Sequence, residues 1–170
     1  MIVSAALFIH NVGAGGKAPN NVQVRNNIFY TTGGTKLISI TSQVRDHMVN
    51  VKFTGNAFYS GTGAFKIQWG DATVYSSLTS WRNATGQEKS NGISTGYQGD
   101  PKFVAVGTGG TIGNADLLAS RLGGYKLQNT SPLINKGVAP PITLAAALVD
   151  FFGDTTPKGG KYDIGADELA

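Results

Sequence analysis

A ten-residue segment recurs after an interval of 29 residues, and this repeat limits the folds open to the chain more than any other feature. Residues 21–30 read NVQVRNNIFY and residues 50–59 read NVKFTGNAFY, with five identical positions at that constant offset. The same offset relates Ile38 and Ile40 to Ile67 and Trp69, and we also match Ile9 to Ile38. A fixed period in this range is typical of a solenoid, in which each repeat stacks on its neighbour.

The repeated segment alternates as a strand with one buried face does. Val22 and Val24 alternate with Gln23 and Arg25, which is the period of two that places successive side chains on opposite faces. Stacking of the two copies would bring Val22 beside Val51 inside the protein, and the matched isoleucines would stack in the same way.

Turn-forming residues interrupt both copies at the same place. Asn26-Asn27 in the first copy and Gly55-Asn56 in the second suit a turn, because Asn and Gly accept left-handed backbone angles at little cost. Neighbouring strands lie about 4.8 Å apart, so stacking predicts an amide ladder between Asn27 and Asn56. Two aromatic pairs follow the turns, and the pattern leaves open which of them faces inward: Phe29 with Phe58, or Tyr30 with Tyr59.

We therefore predict an all-β fold, a right-handed parallel β-helix of few coils with a C-terminal cap that contains short helices. Residues 1–70 would form the coils, and residues 71–170 would form the lateral and C-terminal capping region of the same domain. Charged residues make up only 14% of the chain and 24 residues are glycine, as expected of a turn-rich β protein. The spacing of a leucine-rich repeat is absent, and a β-sandwich would not explain identities at one offset.

The capping region carries helix signals. Ser77 and Gly86 would begin and end a short helix, and Asn114 would cap another over residues 114–122. Residues 131–137 have the Ser-Pro start and Gly end of a single helical turn. Trp81 lies on the apolar face of the first helix, and Trp69 replaces an isoleucine of the repeat, so we expect both in the core.

Several motifs follow in a fixed order after the repeat. They are WRNATGQE at 81–88, GDPKF at 99–103, GYKL at 124–127, SPLINKG at 131–137, DFFG at 150–153 and KYDIGADE at 161–168. In this order the chain resembles the C-terminal region of bacterial right-handed parallel β-helix repeat proteins of the pectate-lyase-like superfamily. The resemblance implies a secreted protein, extracellular or periplasmic, that degrades or binds glycans, and it transfers no catalytic residue.

Candidate catalytic residues cluster at one place. Arg45, Asp46 and His47 lie in the loop between the two copies, where a lyase would need a cation and a base. Tyr30 and Tyr59 would offer an aromatic strip to a glycan if they are exposed. The acidic residues of the terminal motif, including Asp163, Asp167 and Glu168, we interpret as structural in preference to catalytic or calcium-binding, and we expect no cofactor.

The sequence thus predicts the C-terminal part of a secreted β-helical protein that acts on or binds a polysaccharide, a polyuronate among the candidates, with its catalytic groove absent or upstream. A parent enzyme would be a polysaccharide lyase or glycoside hydrolase, and this part would be inactive alone. The alternative is a non-catalytic module that binds glycan, adheres or self-associates through its N-terminal coil. The net charge of +4 is scattered, which argues against nucleic acid, and no membrane span is present.

Overall fold

A computed structural model describes residues 5–9, 17–110, 113–140 and 148–169. The chain divides into two compact units, Met1–Asp100 and Pro101–Ala170. The first unit contains the repeat and the WRNATGQE motif, and the second contains the motifs from GYKL to KYDIGADE. His10, which the sequence isolates near the start of the chain, lies outside the described residues.

Short strands and two short helices build the first unit. Most strands have two or three residues. In chain order the elements are β1 (Ala5–Ile9), β2 (Gln23–Arg25), β3 (Ile28–Tyr30), β4 (Lys36–Ile40), α1 (Ser42–Arg45), β5 (Lys52–Thr54), β6 (Ala57–Tyr59), β7 (Ile67–Trp69), β8 (Val74–Tyr75), α2 (Leu78–Thr85), β9 (Lys89–Ser90), β10 (Ile93–Ser94) and β11 (Tyr97–Gln98).

The 29-residue repeat is a register of parallel strand pairs. Strands β2 and β5 pair through Val24 and Phe53, and β3 and β6 pair through the two repeated aromatic residues. Ile38 pairs with Ile67, as the sequence predicts. The turns are stacked as well, since a Cβ built on Gly63 would lie 2.6 Å from the backbone nitrogen of Gly34, its partner in the repeat.

Two details of the predicted register are wrong. Ile9 pairs with Ile40, and it is Leu7 that pairs with Ile38, so β1 and β4 are related by 31 residues instead of 29. A shift of two residues keeps the same side chains on the same face, which is why the apolar pattern did not reveal it. Val22 is 37% exposed, whereas its repeat partner Val51 is buried in the core, although each lies one residue before its strand.

The prediction of a right-handed parallel β-helix is also wrong. The described residues form five small sheets, none of which is closed or continues as a solenoid. The largest has the order β1-β4-β7-β8 and is mixed, because β8 pairs with β7 in the antiparallel direction. Two sheets are parallel, β3-β6-β11 and β2-β5, and β9-β10 is an antiparallel pair. Two copies of a repeat suffice to pair strands locally, but beyond β7 the chain returns antiparallel as β8, and a third parallel strand, β11, is added only to the sheet of β3 and β6.

The core of the first unit is apolar and aromatic. Phe58 and Trp81 are fully buried, and their ring centroids lie 5.8 Å apart. Phe29 stacks on Phe58 at 5.3 Å, which answers the question that the sequence left open. Trp69 also lies in this core, 5.2 Å from Trp81, so both tryptophans are core residues as predicted.

Helix α2 has the ends that the sequence predicts. The Ser77 side chain accepts a hydrogen bond from the backbone N–H of Ser80, and Gly86 closes the helix with φ of 72°. With eight residues it is the longest described helix, and no described helix is long and apolar enough to cross a membrane.

The second unit has little regular structure. It contains the helix α3 (Leu118–Arg121), two 3₁₀ turns (Ala115–Leu117 and Gly123–Tyr125) and an antiparallel pair, β12 (Leu148–Val149) and β13 (Thr155–Thr156). The helix predicted over 114–122 is therefore broken, although Asn114 does cap its first turn by accepting from the N–H of Asp116. Residues 131–137 form a hydrogen-bonded turn instead of a helix, and Ser131 both caps that turn and donates to the Pro101 carbonyl.

Candidate functional site: a cationic cleft in the first unit

A cleft of about 430 Å³ opens between the loop after α1, strand β5 and the end of α2. Three cations line it, with polar amides beside them and aromatic residues among the lining. No carboxylate belongs to this lining. The lining residues are Arg45, Met48, Asn50, Val51, Lys52, Phe53, Trp69, Thr85, Gly86, Gln87 and Lys89.

Arg45 is held in place from two directions. Its Nε and Nη2 lie 2.8 Å from an oxygen of the Asp46 carboxylate, and its Nη1 donates to the Trp69 carbonyl at 3.2 Å. The guanidinium also lies against Gly70, where a side chain would occupy the same space. Of the five N–H groups of an arginine, these contacts use three, which leaves donors for a ligand.

The pair Arg45–Asp46 stays ionised. The hydrogen bond to Asp46 raises the pKa of Arg45, and the same bond lowers the pKa of Asp46. His47, the third residue of the predicted cluster, bonds the Gln43 carbonyl through Nδ1 at 2.8 Å. Arg45 and Asp46 thus lie together as an ion pair, only Arg45 of the three lines the cleft, and a catalytic role for the cluster stays a prediction.

Two lysines complete the positive charge of the cleft. Lys52 begins β5 and Lys89 begins β9, and both side chains are exposed. Neither forms an ion pair with a described residue. Their ammonium groups are therefore available to an anion.

The side chain of Gln87 continues the pairing of β5 where the repeat has no third copy. Its Oε1 accepts from the backbone N–H of Phe53 at 2.8 Å, and its Nε2 donates to the Val51 carbonyl at 3.1 Å. An amide side chain thus takes the place of a third strand's peptide group. This bond pair fixes the wall of the cleft that Gln87 and Lys89 form.

Glu88, between those two wall residues, is fully buried. Its carboxylate accepts hydrogen bonds from the backbone and side-chain nitrogens of Asn56 and from Thr95 Oγ1. Burial raises the pKa of Glu88, against the lowering effect of those hydrogen bonds. The buried carboxylate therefore favours its protonated form more than an exposed glutamate does.

The predicted ladder residues meet at this point. Asn27 Nδ2 donates to Asn56 Oδ1 at 3.1 Å, and Asn56 Nδ2 in turn donates to Glu88 Oε1 at 2.6 Å. A second pair, Asn21 and Asn50, is also bonded, at 2.8 Å.

The predicted aromatic strip lies elsewhere in the first unit. Tyr30 and Tyr59 are half-buried, with ring centroids 5.2 Å apart and planes inclined by 66°, so they do not form a flat platform. Tyr30 alone lines a shallow depression. The other lining residues are Ala5, Ala6, Thr31, Thr32 and Thr35.

The acidic residues of the second unit accept hydrogen bonds from backbone N–H groups. Asp163 accepts from Asn135 and Leu169, and Glu168 accepts from Lys158 and Asp163. These contacts support the structural interpretation of the terminal motif.

Three carboxylates of this unit, those of Asp150, Asp154 and Asp167, have oxygens within 4.8 Å of one another. Asp150 accepts three backbone N–H groups, and lysine ammonium groups lie 3.3 Å from Asp154 and 3.8 Å from Asp167. These partners account for the group without an ion, and we assign it no metal. The expectation about calcium stays a prediction.

Reasoning from the sequence found Arg45 but missed Lys52, Gln87, Glu88 and Lys89. Lys52 occupies a polar position of the repeated strand, like Gln23 in the first copy, and no spacing relates residues 87–89 to the repeat. The WRNATGQE motif did single out Gln87 and Glu88. Comparison of the chain with protein-family models, curated proteins and solved structures found no match.

Proposed function

We propose that this chain binds an anionic polysaccharide in the cationic cleft. The observation that carries the proposal is the convergence of Arg45, Lys52 and Lys89 on one cleft whose lining contains no carboxylate. Carboxylate or sulfate groups of the glycan would bind these cations, and the fixed guanidinium of Arg45 suits an oxyanion in particular because its donors are already oriented.

The rest of the lining suits a sugar. Asn50 and Gln87 are amides of the kind that bond to hydroxyl groups. The volume falls in the range of about 300–1,000 Å³ that small-ligand sites occupy. Glycoside hydrolysis by a pair of carboxylates has no counterpart in this lining, so we propose binding rather than hydrolysis. An extracellular or periplasmic location agrees with such a ligand and stays a prediction.

Affinity electrophoresis and calorimetry with polygalacturonate, dextran sulfate, neutral dextran and a DNA duplex test the proposal. We expect binding to the two charged glycans, none to neutral dextran, and affinity that falls as salt rises. Arg45→Gln should weaken binding about tenfold, the value of one charge-assisted hydrogen bond. Arg45→Lys should recover part of the loss, because it keeps the charge without the planar fork.

Lys161→Gln is the matched control, since Lys161 is an exposed lysine of the second unit. It removes one charge outside the cleft and should leave the affinity unchanged. An equal loss in Lys161→Gln and Arg45→Gln would show a diffuse charge effect and overturn the proposal. Equal affinity for the DNA duplex would overturn its glycan part.

Self-association is a second candidate function, favoured by the position of β1. Within the described residues β1 pairs with β4 alone and ends the four-stranded sheet, and its Phe8 is 40% exposed. An edge of this kind can accept a strand from a second copy. Sedimentation velocity should then show concentration-dependent dimers that Phe8→Asp abolishes, and a monomer at every concentration would contradict this candidate.

A further inference from the structure

The carboxylate of Glu88 is buried beside the cleft, and no cation among the described residues forms an ion pair with it. Its nearest donors are neutral, namely the backbone N–H of Asn56 at 3.2 Å, Asn56 Nδ2 at 2.6 Å and Thr95 Oγ1 at 3.1 Å. An ionised carboxylate in such a place costs free energy that a neutral carboxyl does not. The carboxyl group can remain in place when protonated, because Thr95 Oγ1 can accept from it.

Few charges surround this carboxylate. Arg82 of α2 donates through Nε to the Glu88 carbonyl and through Nη2 to the Thr95 carbonyl, so it binds the backbone of the segment. Lys89 follows in sequence and is exposed. The groups that contact the carboxylate from the strand side, at Gly55 and Asn56, carry no charge.

The backbone around Glu88 is shaped to keep the carboxylate there. Glu88 has φ of 52°, a left-handed conformation that glycine would adopt without strain. Gly96 packs so closely that a Cβ on it would lie 2.7 Å from Glu88 Oε2. The left-handed backbone of Glu88 and the close packing of Gly96 against its carboxylate indicate that the glutamate side chain has a role beyond filling space.

The same residue holds the cleft wall against the repeat. Its backbone N–H donates to the Phe53 carbonyl at 2.8 Å, and its carbonyl accepts from the N–H of Thr95 at 2.8 Å. Its sequence neighbours, Gln87 and Lys89, line the cleft. A change that breaks the hydrogen bonds of Glu88 would therefore displace Gln87 and Lys89, two residues that line the cleft.

We propose that Glu88 is a protonation-dependent latch of the cationic cleft. With a neutral carboxyl group, residues 87–96 stay fastened to β5 and β6. With an ionised carboxylate the segment opens more often, and a negative charge lies between two lining residues, so the cleft binds anions more weakly as the pH rises. The ligand part of this inference rests on the proposed function.

The raised pKa of Glu88 decides on which side of its titration the latch is closed. Burial raises the pKa of Glu88 in the folded protein, so the stabilisation it gives is complete below the ordinary glutamate pKa. That stabilisation is lost as the pH rises through the folded-state pKa. The latch is thus closed on the acidic side of this window and open on the other.

Hydrogen exchange in the free protein tests the latch without any ligand. The amides of Thr95 and Tyr97, which bond to Glu88 and Asn56 carbonyls, report opening of the segment. After correction for intrinsic exchange, we expect their opening to increase about fivefold between about pH 4 and pH 8. Glu88→Gln should remove the change. Thr95→Val, which deletes the bond between Thr95 Oγ1 and the carboxyl group in either protonation state, should change the midpoint of the profile.

Two results would overturn the latch. One is opening that does not depend on pH in the unmodified protein. The other is a pH dependence that persists in Glu88→Gln with an unmoved midpoint in Thr95→Val. Glu168→Gln is the matched control, because Glu168 is a buried carboxylate of the second unit, and it should leave exchange at Thr95 and Tyr97 unchanged.

The coupling to binding is measured with dextran sulfate, whose sulfate groups stay ionised throughout. A His47→Gln background removes the nearby imidazole. We expect affinity to fall about fivefold as the pH rises, and to be level in Glu88→Gln. Level affinity in both proteins would overturn the coupling. Absence of binding at every pH, with exchange behaving as expected, would overturn the proposed function and leave the latch in place.

Discussion

The two compact units of this chain are stabilised in different ways. The first unit has a cluster of buried aromatic and aliphatic side chains, centred on Phe58 and Trp81. Among the described residues of the second unit, three carboxylates and three large apolar residues are buried. They are Asp163, Asp167 and Glu168, and Leu127, Leu133 and Ile164.

The difference teaches what each unit tolerates. Apolar burial is non-directional and scales with the area removed from water, so a core of this kind accepts substitutions that keep volume. The hydrogen bonds of a carboxylate that accepts two backbone N–H groups are directional. One of these bonds is lost when an amide nitrogen replaces one carboxylate oxygen. The first unit should therefore be sensitive to size and the second to hydrogen-bonding capacity.

The largest expected effect is truncation of the aromatic core. Trp81→Ala should lower the free energy of unfolding of the first unit by about 3–5 kcal/mol, because it leaves a large cavity. Trp81→Phe should cost much less, since Trp81 Nε1 is buried with no hydrogen-bond partner and the ring contacts are retained. Denaturant unfolding measures both. Equal losses of unfolding free energy in the two variants would show that side-chain volume does not determine the stability of this core.

The second largest effect is expected at Asn56, a buried polar residue in the otherwise apolar interior of the first unit. Asn56→Ala should cost about 2–3 kcal/mol, because it removes the partners of Asn27, Val24 and Glu88 at a fully buried site. Asn50→Ala, at the exposed ladder, should cost about 1 kcal/mol, chiefly because Asn50 has φ of 52°. Asn50→Gly should be nearly neutral, and thermal unfolding of the three variants would decide the order.

The directional character of the second unit is tested by an isosteric change. Asp163→Asn should cost about 2 kcal/mol, because its two oxygens accept from the N–H groups of Asn135 and Leu169 and an amide can satisfy only one of them. Exchange of those two amides should accelerate. The control Asp116→Asn, at an exposed position, should stay within about 0.5 kcal/mol of the unmodified protein.

The smallest effect expected is a pH dependence of the second unit. Burial raises the pKa of Asp167 and of Glu168, so the stabilisation these groups give is complete below their ordinary pKa and is lost as the pH rises through the folded-state pKa. Amides bonded to Glu168, those of Lys158 and Asp163, should open more often at higher pH. Glu168→Gln should flatten that profile, and an unchanged profile would contradict the assignment.

The strand pairs could be predicted because residues that repeat at one constant offset pair with each other when the copies stack. Ile38 with Ile67 and Phe29 with Phe58 follow from identity alone. The repeat does not show whether a third coil follows: β11 adds a third strand beside β6, but β8 pairs antiparallel with β7, so no third coil forms. The resemblance to the pectate-lyase-like superfamily stays a prediction.

The cleft could be predicted only in part. Arg45 was found because it lies in a loop next to an acid and a histidine, but Lys52 and Lys89 are far apart in sequence and look like ordinary surface lysines. Gln87 and Glu88 bond to β5 and to Asn56 across more than thirty positions. Contacts of this kind have no periodicity, so the sequence carries no signal for them.

The close approach of Gly63 to Gly34 has a consequence for how the two repeats can diverge. A side chain gained by Gly63 would collide with the main chain at Gly34, whereas a Cβ built on Gly34 would meet only Lys66 Nζ, at 3.6 Å. The first turn therefore restricts what the second can become at this position, while the second places no such steric restriction on the first.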